Sequence, residues 1–437
     1  MISEVVVGSL SVVAICLLIY TGLHITVALM VCSFVGVWLI KGEAGLAAKL
    51  LGTAAADSIA TYDLAVIPLF VLMGLLINAT PLATDAFRVA NYLMRRVRGG
   101  VGIATVLGNA VLSAVTGVTI ASVAIFSKIA VPQMMSLGYR PRFAVGLVAG
   151  SGVLGMMIPP SLLIIIYCLL TEQSVGKMFI AAVGPGILLT AMLCIAVLLM
   201  AWKWPSFAGT PETAEEVTPM GMGDIVRATV PLTALIVATF GGLYGGLFTS
   251  TEAGAVGALG AFLIAACGGH LRGPAIRNIL LETGASTSAI CILIIAANMY
   301  SRLIAMSGMP AAFTEWLAHA DLGYYGLVAA YIVLLLFLGT ALDSISTVLL
   351  SVPLLMPTFS AYHMDLLWIG IITILATEMG IVTPPLGISA FVVKSSVNDA
   401  RITLQDIYAG SYPFLGVMAL TLVLIVMFPS ITLAFIR

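Results

Sequence analysis

Charged side chains are scarce in this chain, and their scarcity excludes most classes of protein. Only 8% of its 437 residues are Asp, Glu, Lys or Arg, whereas a soluble domain averages about 25%. Hydrophobic residues make up 61%, and the mean hydropathy is +1.17. The formal net charge is -1, and no basic cluster argues for nucleic acid as a partner. The sequence predicts an all-α polytopic membrane protein that lies in the lipid bilayer.

Motifs for catalysis and metal binding are also missing. The four histidines show no metal spacing, and the chain has neither a His-Glu-x-x-His motif nor a phosphate-binding loop. The six cysteines are scattered through apolar runs, where buried inert thiols are expected. We therefore expect no enzyme. The cysteines are Cys16, Cys32, Cys168, Cys194, Cys267 and Cys291.

Long apolar segments dominate what is present. A membrane-spanning helix needs about 20 apolar residues, and ten segments approach or exceed this length. We predict about ten transmembrane helices, near residues 3–20, 24–40, 61–80, 143–170, 176–202, 228–247, 253–270, 284–307, 365–393 and 405–434.

Two further apolar stretches, about 100–135 and 322–360, are broken in the middle by polar residues. The first break is Thr116-Gly117-Val118-Thr119, and the second contains Asp343 and Ser344. Each stretch is typical of a re-entrant hairpin, which enters the membrane, turns at a polar tip and leaves on the same side.

Two Pro-Pro pairs stand at matching places, Pro159-Pro160 and Pro384-Pro385. Each lies inside a long apolar segment, at 143–170 and 365–393, where two missing N–H donors stop a helix. A membrane span tolerates freed carbonyls only where they face protein, water or an ion. Interrupted helices at corresponding positions of two halves indicate a transporter binding site. The alternative is that both are plain kinks.

The repeated pattern divides the chain into residues 1–203 and 225–437, with a hydrophilic cytoplasmic linker at 204–224. If the N-terminus is outside, twelve Lys or Arg residues fall in inside loops and five in outside loops or ends. The same count puts the two hairpins on opposite sides of the membrane. The halves are therefore predicted to be inverted repeats, and the N-terminus periplasmic.

Polar groups inside the hairpins and interrupted helices are the candidate site residues. Hydroxyls and freed carbonyls are hard oxygen donors that suit Na⁺. Asp343 is the acid of the second hairpin; the alternative is an exposed loop aspartate. Glu378 is a second buried acid, which would pair with a basic group, orient a ligand or carry a proton. For the tip hydroxyls the alternative is a purely structural role, in which they donate hydrogen bonds to carbonyls one turn back.

The chain resembles the large membrane subunit of tripartite ATP-independent periplasmic (TRAP) transporters, within the ion transporter superfamily. The similarity covers essentially the whole length. Its strongest pieces are Gly150–Gly155 leading into Ile158–Ser161, Thr171–Lys177, Thr249–Ala253, and Glu378-x-Gly380 leading into Thr383–Gly387.

This resemblance implies an elevator-type carrier that moves Na⁺ and a small organic anion, such as a carboxylate or sialic acid-like solute, across a bacterial inner membrane. It implies a separate small four-helix membrane subunit and a periplasmic solute-binding protein as partners. Carried over by position, the sodium ligands are Ser113 or Thr116 with Gly155, Ile158 and Pro160 at one site, and Asp343, Gly380, Thr383 and Pro385 at the other. The expected solute contacts are Thr119, Ser122, Ser161, Ser344, Ser346 and Glu378.

The sequence departs from the family at several of these positions, including Val118, Ser344 and Ala376. These departures leave open the oxygen count at each site. A second function class also stays open: a dicarboxylate or citrate symporter of similar architecture that works without a binding protein.

Overall fold

Helices form almost all of the described chain. The computed structural model describes residues 3–205, 207, 220–319, 323–397, 399 and 401–436. The predicted linker at 204–224 lies largely outside these residues. In chain order the α-helices are α1 (Glu4–Tyr20), α2 (Ile25–Lys41), α3 (Ala44–Ile59), α4 (Val66–Asn78), α5 (Leu82–Met94), α6 (Gly100–Thr116), α7 (Thr119–Ser136), α8 (Pro141–Ser151), α9 (Leu154–Met157), α10 (Leu162–Thr171), α11 (Val175–Lys203), α12 (Met222–Ile236), α13 (Gly242–Tyr244), α14 (Ser250–Cys267), α15 (Gly273–Met306), α16 (Met309–His319), α17 (Gly323–Ala341), α18 (Ser344–Ala361), α19 (Leu366–Gly380), α20 (Ile388–Ser396), α21 (Leu404–Met427) and α22 (Ser430–Leu433).

The helices confirm the predicted class. Within the described residues, eight helices are long and apolar enough to cross a membrane, or ten if each of two bent pairs counts as one span. One bent pair is α8–α9 with α10, which meet at 43°. The other joins α3 to α4 through the 3₁₀ turn Tyr62–Ala65, with a bend of 56°. The sequence did not predict α3, because its apolar residues alternate with Ala, Gly and Lys and give a weak hydropathy signal.

Both predicted hairpins exist as pairs of helices joined by a two-residue tip. Hairpin 1 consists of α6 and α7 and turns at Gly117–Val118 (tip 1). Its arms pack together, since a Cβ added at Gly108 would lie 2.9 Å from the ring of Phe126. Hairpin 2 consists of α17 and α18 and turns at Leu342–Asp343 (tip 2).

The interrupted helices break at the proline pairs. In the first, α9 ends at Met157 and α10 begins at Leu162, which leaves Ile158–Ser161 as break 1. In the second, α19 ends at Gly380 and α20 begins at Ile388, which leaves break 2. Both Pro-Pro peptide bonds are cis.

The same order of elements occurs in both halves. An amphipathic helix (α5 or α16) precedes a hairpin, then an interrupted helix, then a long helix (α11 or α21). The innermost elements are the first pieces of the interrupted helices. In α8 every residue from Phe143 to Ser151 is buried, and in α19 every residue from Trp368 to Gly380. The side chains of α8 and α19 therefore lie at the centre of the molecule.

Candidate functional site

Tip 1 lies in break 1. Gly117 adopts φ 64°, which glycine tolerates without a steric cost, and its carbonyl accepts a hydrogen bond from the Leu162 N–H at 3.2 Å. The position leaves no room for a side chain, because a Cβ on Gly117 would overlap the Pro160 carbonyl oxygen. A Cβ on Gly155 would lie 2.8 Å from the Thr119 Cα. The backbone of tip 1 therefore packs directly against the backbone of the interrupted helix.

Predicted ligands of the first sodium site lie on both sides of this contact. Thr116 ends α6, Gly155 lies in α9, and Ile158 and Pro160 lie in break 1. The Ser113 hydroxyl donates to the Asn109 carbonyl at 2.5 Å, and the Thr116 hydroxyl to Leu112 at 3.1 Å. A hydroxyl that donates in this way keeps lone pairs for a cation. Their role as sodium ligands stays a prediction.

Tip 2 is organised by Asp343, which is the N-cap residue of α18. Its carboxylate accepts hydrogen bonds from the Ile345 and Ser346 N–H groups, both at 3.2 Å, and from the Ser346 hydroxyl. An N-cap carboxylate satisfies helix donors and favours the positive end of the helix dipole. Asp343 is half-buried rather than an exposed loop residue. Its position at the tip is as predicted, and its binding of Na⁺ stays a prediction.

The remaining predicted ligands of the second site lie along break 2. The Thr383 hydroxyl donates to the Met379 carbonyl at 2.7 Å. The Tyr408 hydroxyl lies 3.2 Å from the Pro385 carbonyl and 2.6 Å from that of Leu386. Gly380 packs against α17, since a Cβ there would lie 2.7 Å from the Gly339 Cα. Gly339 opens the polar break predicted for hairpin 2, but its contact with Gly380 was not predicted, and no sequence motif marks Tyr408.

Glu378 connects the two tips. This fully buried residue on α19 accepts a hydrogen bond from Thr119 on Oε2 at 2.5 Å and one from Ser344 on Oε1 at 2.6 Å. Thr119 is the first residue of α7 and Ser344 the first of α18. One carboxylate thus holds the second arms of both hairpins. Among the described residues no basic group pairs with it, so the pairing predicted as one alternative is not seen there.

Other predicted solute contacts already have structural partners. Ser161 caps α10 by accepting from the Ile164 N–H at 3.3 Å, and Ser346 donates to Asp343. The exception is Ser122, one turn beyond Thr119, whose hydroxyl is buried and has no hydrogen-bond partner among the described residues.

A cavity of about 410 Å³ opens beside tip 1, within the size range of ligand pockets. Its walls come from hairpin 1, break 1, α4, α15 and the start of α18, and include Thr116, Val118, Pro160, Asn78, Glu282 and Ile345. None of the six predicted solute contacts lines it within the described residues. All six are buried, and their direct contact with solute stays a prediction.

The ion pairs among the described residues lie away from the tips. Arg142 at the start of α8 pairs with Asp406 at the start of α21 at 2.6 Å. In the loop before α21, hydrogen bonds from Arg401 lower the pKa of Asp399 to about 2. Both pairs are at the face that the charge count places in the cytoplasm, as expected of residues that set topology.

The fold and site define a polytopic helical membrane protein in which two hairpin tips meet two interrupted helices. Residues 12–431 match the family model described as the tripartite ATP-independent periplasmic transporter, DctM component. The chain belongs to this family, and the resemblance found in the sequence is confirmed.

Individual relatives and one solved structure agree with this membership. The chain is 29% identical over 374 residues to the C4-dicarboxylate TRAP transporter large permease protein DctM of Pseudomonas aeruginosa, covering 85% of this chain and 86% of the relative. It is 29% identical over 376 residues to the sialic acid TRAP transporter large permease protein SiaM of Vibrio cholerae, with the same coverage. The crystal structure of the Alcanivorax borkumensis YdaH transporter superposes with a TM-score of 0.62 at 11% identity, over 88% of this chain and 89% of that one. That likeness shows a shared fold.

Proposed function

We propose that this chain is the large membrane subunit of a sodium-coupled symporter for a small organic anion, a carboxylate or sialic acid-like solute. It works in the bacterial inner membrane with a small four-helix membrane subunit and a periplasmic binding protein. The observation that carries the proposal is the seating of tip 1 in break 1. There, hydroxyls and carbonyls converge beside a cavity of ligand size. Relatives named for C4-dicarboxylate and sialic acid transport support the solute class.

The packing supports an elevator mechanism. Hairpin 1, hairpin 2 and α19 are joined through Glu378, and we propose that they move together as one body. The cavity lies between this body and α4 and α15. A solute bound there crosses the membrane when the body slides past those helices.

Uptake into proteoliposomes tests the coupling. The chain is reconstituted with its small subunit, and a labelled organic acid is supplied with the binding protein. We expect uptake only with an inward sodium gradient, and its loss when an ionophore collapses that gradient. Full-rate uptake on a proton gradient without sodium would contradict the proposal. Robust uptake without the binding protein would favour the symporter that needs none.

Cysteine accessibility tests the orientation of the repeats. In a cysteine-free background, Gly223→Cys in the first turn of α12 and Ala361→Cys at the end of α18 are introduced at exposed positions. We expect an impermeant thiol reagent to label Ala361→Cys from the periplasm and Gly223→Cys only after the membrane is opened. Labelling of both from the same side would contradict the inverted topology.

A further inference from the structure

The contacts of Glu378 point to a task that rests on the proposed function and adds to it. The carboxylate has two oxygens, and each accepts a hydrogen bond from a different hairpin, at 2.5 Å from Thr119 and 2.6 Å from Ser344. The side chain is fully buried, as is that of Thr119 to within 1%. A carboxylate bound in this way, outside the walls of the described cavity, is placed to hold protein rather than solute.

The two hydroxyls occupy equivalent places in the two halves. Thr119 and Ser344 are 225 residues apart, the same spacing as Pro160 and Pro385. Each is the first residue of a second hairpin arm. The residue 225 positions before Glu378 is Val153, which is buried and apolar. The duplication therefore supplied two equivalent donors but a single acceptor, and the acceptor serves both.

We infer that Glu378 is a positioning residue that fastens both hairpin tips to α19, so that the two predicted ion sites are assembled together. Thr116 directly precedes tip 1 and Asp343 lies in tip 2, and neither residue touches Glu378 in the contacts described above. The carboxylate acts on them through the helix starts at Thr119 and Ser344. The length of the Glu378 side chain matters here, because it lets the two carboxylate oxygens contact both hydroxyls.

Two substitutions separate reach from charge. Glu378→Gln keeps the length; its carbonyl accepts from one hydroxyl and its amide donates to the oxygen of the other. Glu378→Asp keeps the charge but is one methylene shorter, so it reaches one tip at most. If Glu378 positions the tips, the tips of the Glu378→Gln variant should be held more like those of the wild type than the tips of Glu378→Asp. If Glu378 acts through its charge, on solute or on a proton, Glu378→Asp should resemble the wild type more closely.

Reporter cysteines measure whether each tip is fastened. In a cysteine-free background, Ser122→Cys reports on hairpin 1 and Val348→Cys on hairpin 2, since both positions are fully buried. A separate variant keeps the native Cys168 as its single cysteine. Cys168 lies on α10 and is 1% exposed, so its labelling reports general unfolding. Labelling by a small thiol reagent follows the fraction of time a segment is open. Loss of a hydrogen bond to a charged group raises that fraction roughly 10- to 100-fold.

We expect Glu378→Ala to raise labelling of both tip reporters by that factor and Glu378→Asp to raise labelling of at least one, with Cys168 unchanged and Glu378→Gln within about threefold of wild type. Any result in which Gln protects the tips no better than Asp overturns the inference. These rates are measured without transport, so they stand even if uptake is not driven by sodium. A wild type without sodium-driven uptake would instead contradict the proposed function.

Removal of single donors provides a second test if the Glu378 variants do not fold. Thr119→Val should expose Ser122→Cys alone, and Ser344→Ala should expose Val348→Cys alone. The matched control is Thr105→Val, because Thr105 is equally buried on hairpin 1 but bonds only to the Val101 carbonyl of its own helix at 2.8 Å. Unchanged labelling in both donor variants, or equal labelling in the control, would overturn the inference.

Discussion

Replacement of Gly410 by alanine is expected to prevent the mature fold from forming in useful amounts. Gly410 on α21 packs backbone to backbone against α8, and an added Cβ would overlap the Arg142 carbonyl oxygen and lie 3.2 Å from the Gly146 Cα. Overpacking usually costs about 1–3 kcal/mol and occasionally more. Since the obstacle here is main chain rather than a flexible side chain, we expect about 3 kcal/mol or more.

The yield of monodisperse protein in detergent and its thermal midpoint measure this effect. The matched control is Gly416→Ala, six residues further along α21, where a Cβ meets nothing within 4 Å. That change should be neutral or slightly stabilising, because alanine is the better helix former by about 1 kcal/mol. Gly146→Ala should behave like Gly410→Ala, since its Cβ overlaps the Gly410 main chain. Equal stability of the Gly410 and Gly416 variants would show that α8 and α21 are not in this close contact.

The site elements that sequence patterns predicted are those with a local chemical cause. Proline pairs end helices wherever they occur, so breaks 1 and 2 follow from Pro159-Pro160 and Pro384-Pro385 alone. A glycine between hydroxyls in an apolar run likewise predicted tip 1. Even the hairpin bounds, about 100–135 and 322–360, differ little from Gly100–Ser136 and Gly323–Ala361.

What the sequence did not predict depends on contacts between distant segments. Glu378 bonds to Thr119, 259 residues away, and no local pattern reports such a pairing. The contact of Gly380 with Gly339 and the bond from Tyr408 to break 2 are of the same kind. The sequence also could not predict how the hydroxyls are oriented relative to the cavity. Helix periodicity places a residue on one face of its helix but does not show which element packs against that face.

Substitution of Asp343 by asparagine is expected to raise the sodium concentration needed for transport more than any other single polar change. The carboxylate lies at tip 2 and binds only N–H and O–H donors in the described structure, so a cation is its natural counter-charge. Coulomb attraction at about 4 Å is worth roughly 4 kcal/mol at an effective dielectric of 20. Desolvation offsets much of this, which leaves about 1–3 kcal/mol, or about 5- to 150-fold in the sodium concentration for half-maximal uptake.

Asparagine isolates the charge because it is as good an N-cap as aspartate, so α18 should keep its first turn. The matched control is Asp365→Asn. Asp365 caps α19 in the same way, accepting from the Leu367 and Trp368 N–H groups at 2.9 and 3.3 Å, but it lies at the end of that helix remote from Gly380. Both variants should have similar thermal midpoints without sodium, and only Asp343→Asn should shift the sodium titration of uptake. If the two titrations coincide, Asp343 serves tip 2 as a helix cap alone, and the second ion site must draw its charge compensation from elsewhere.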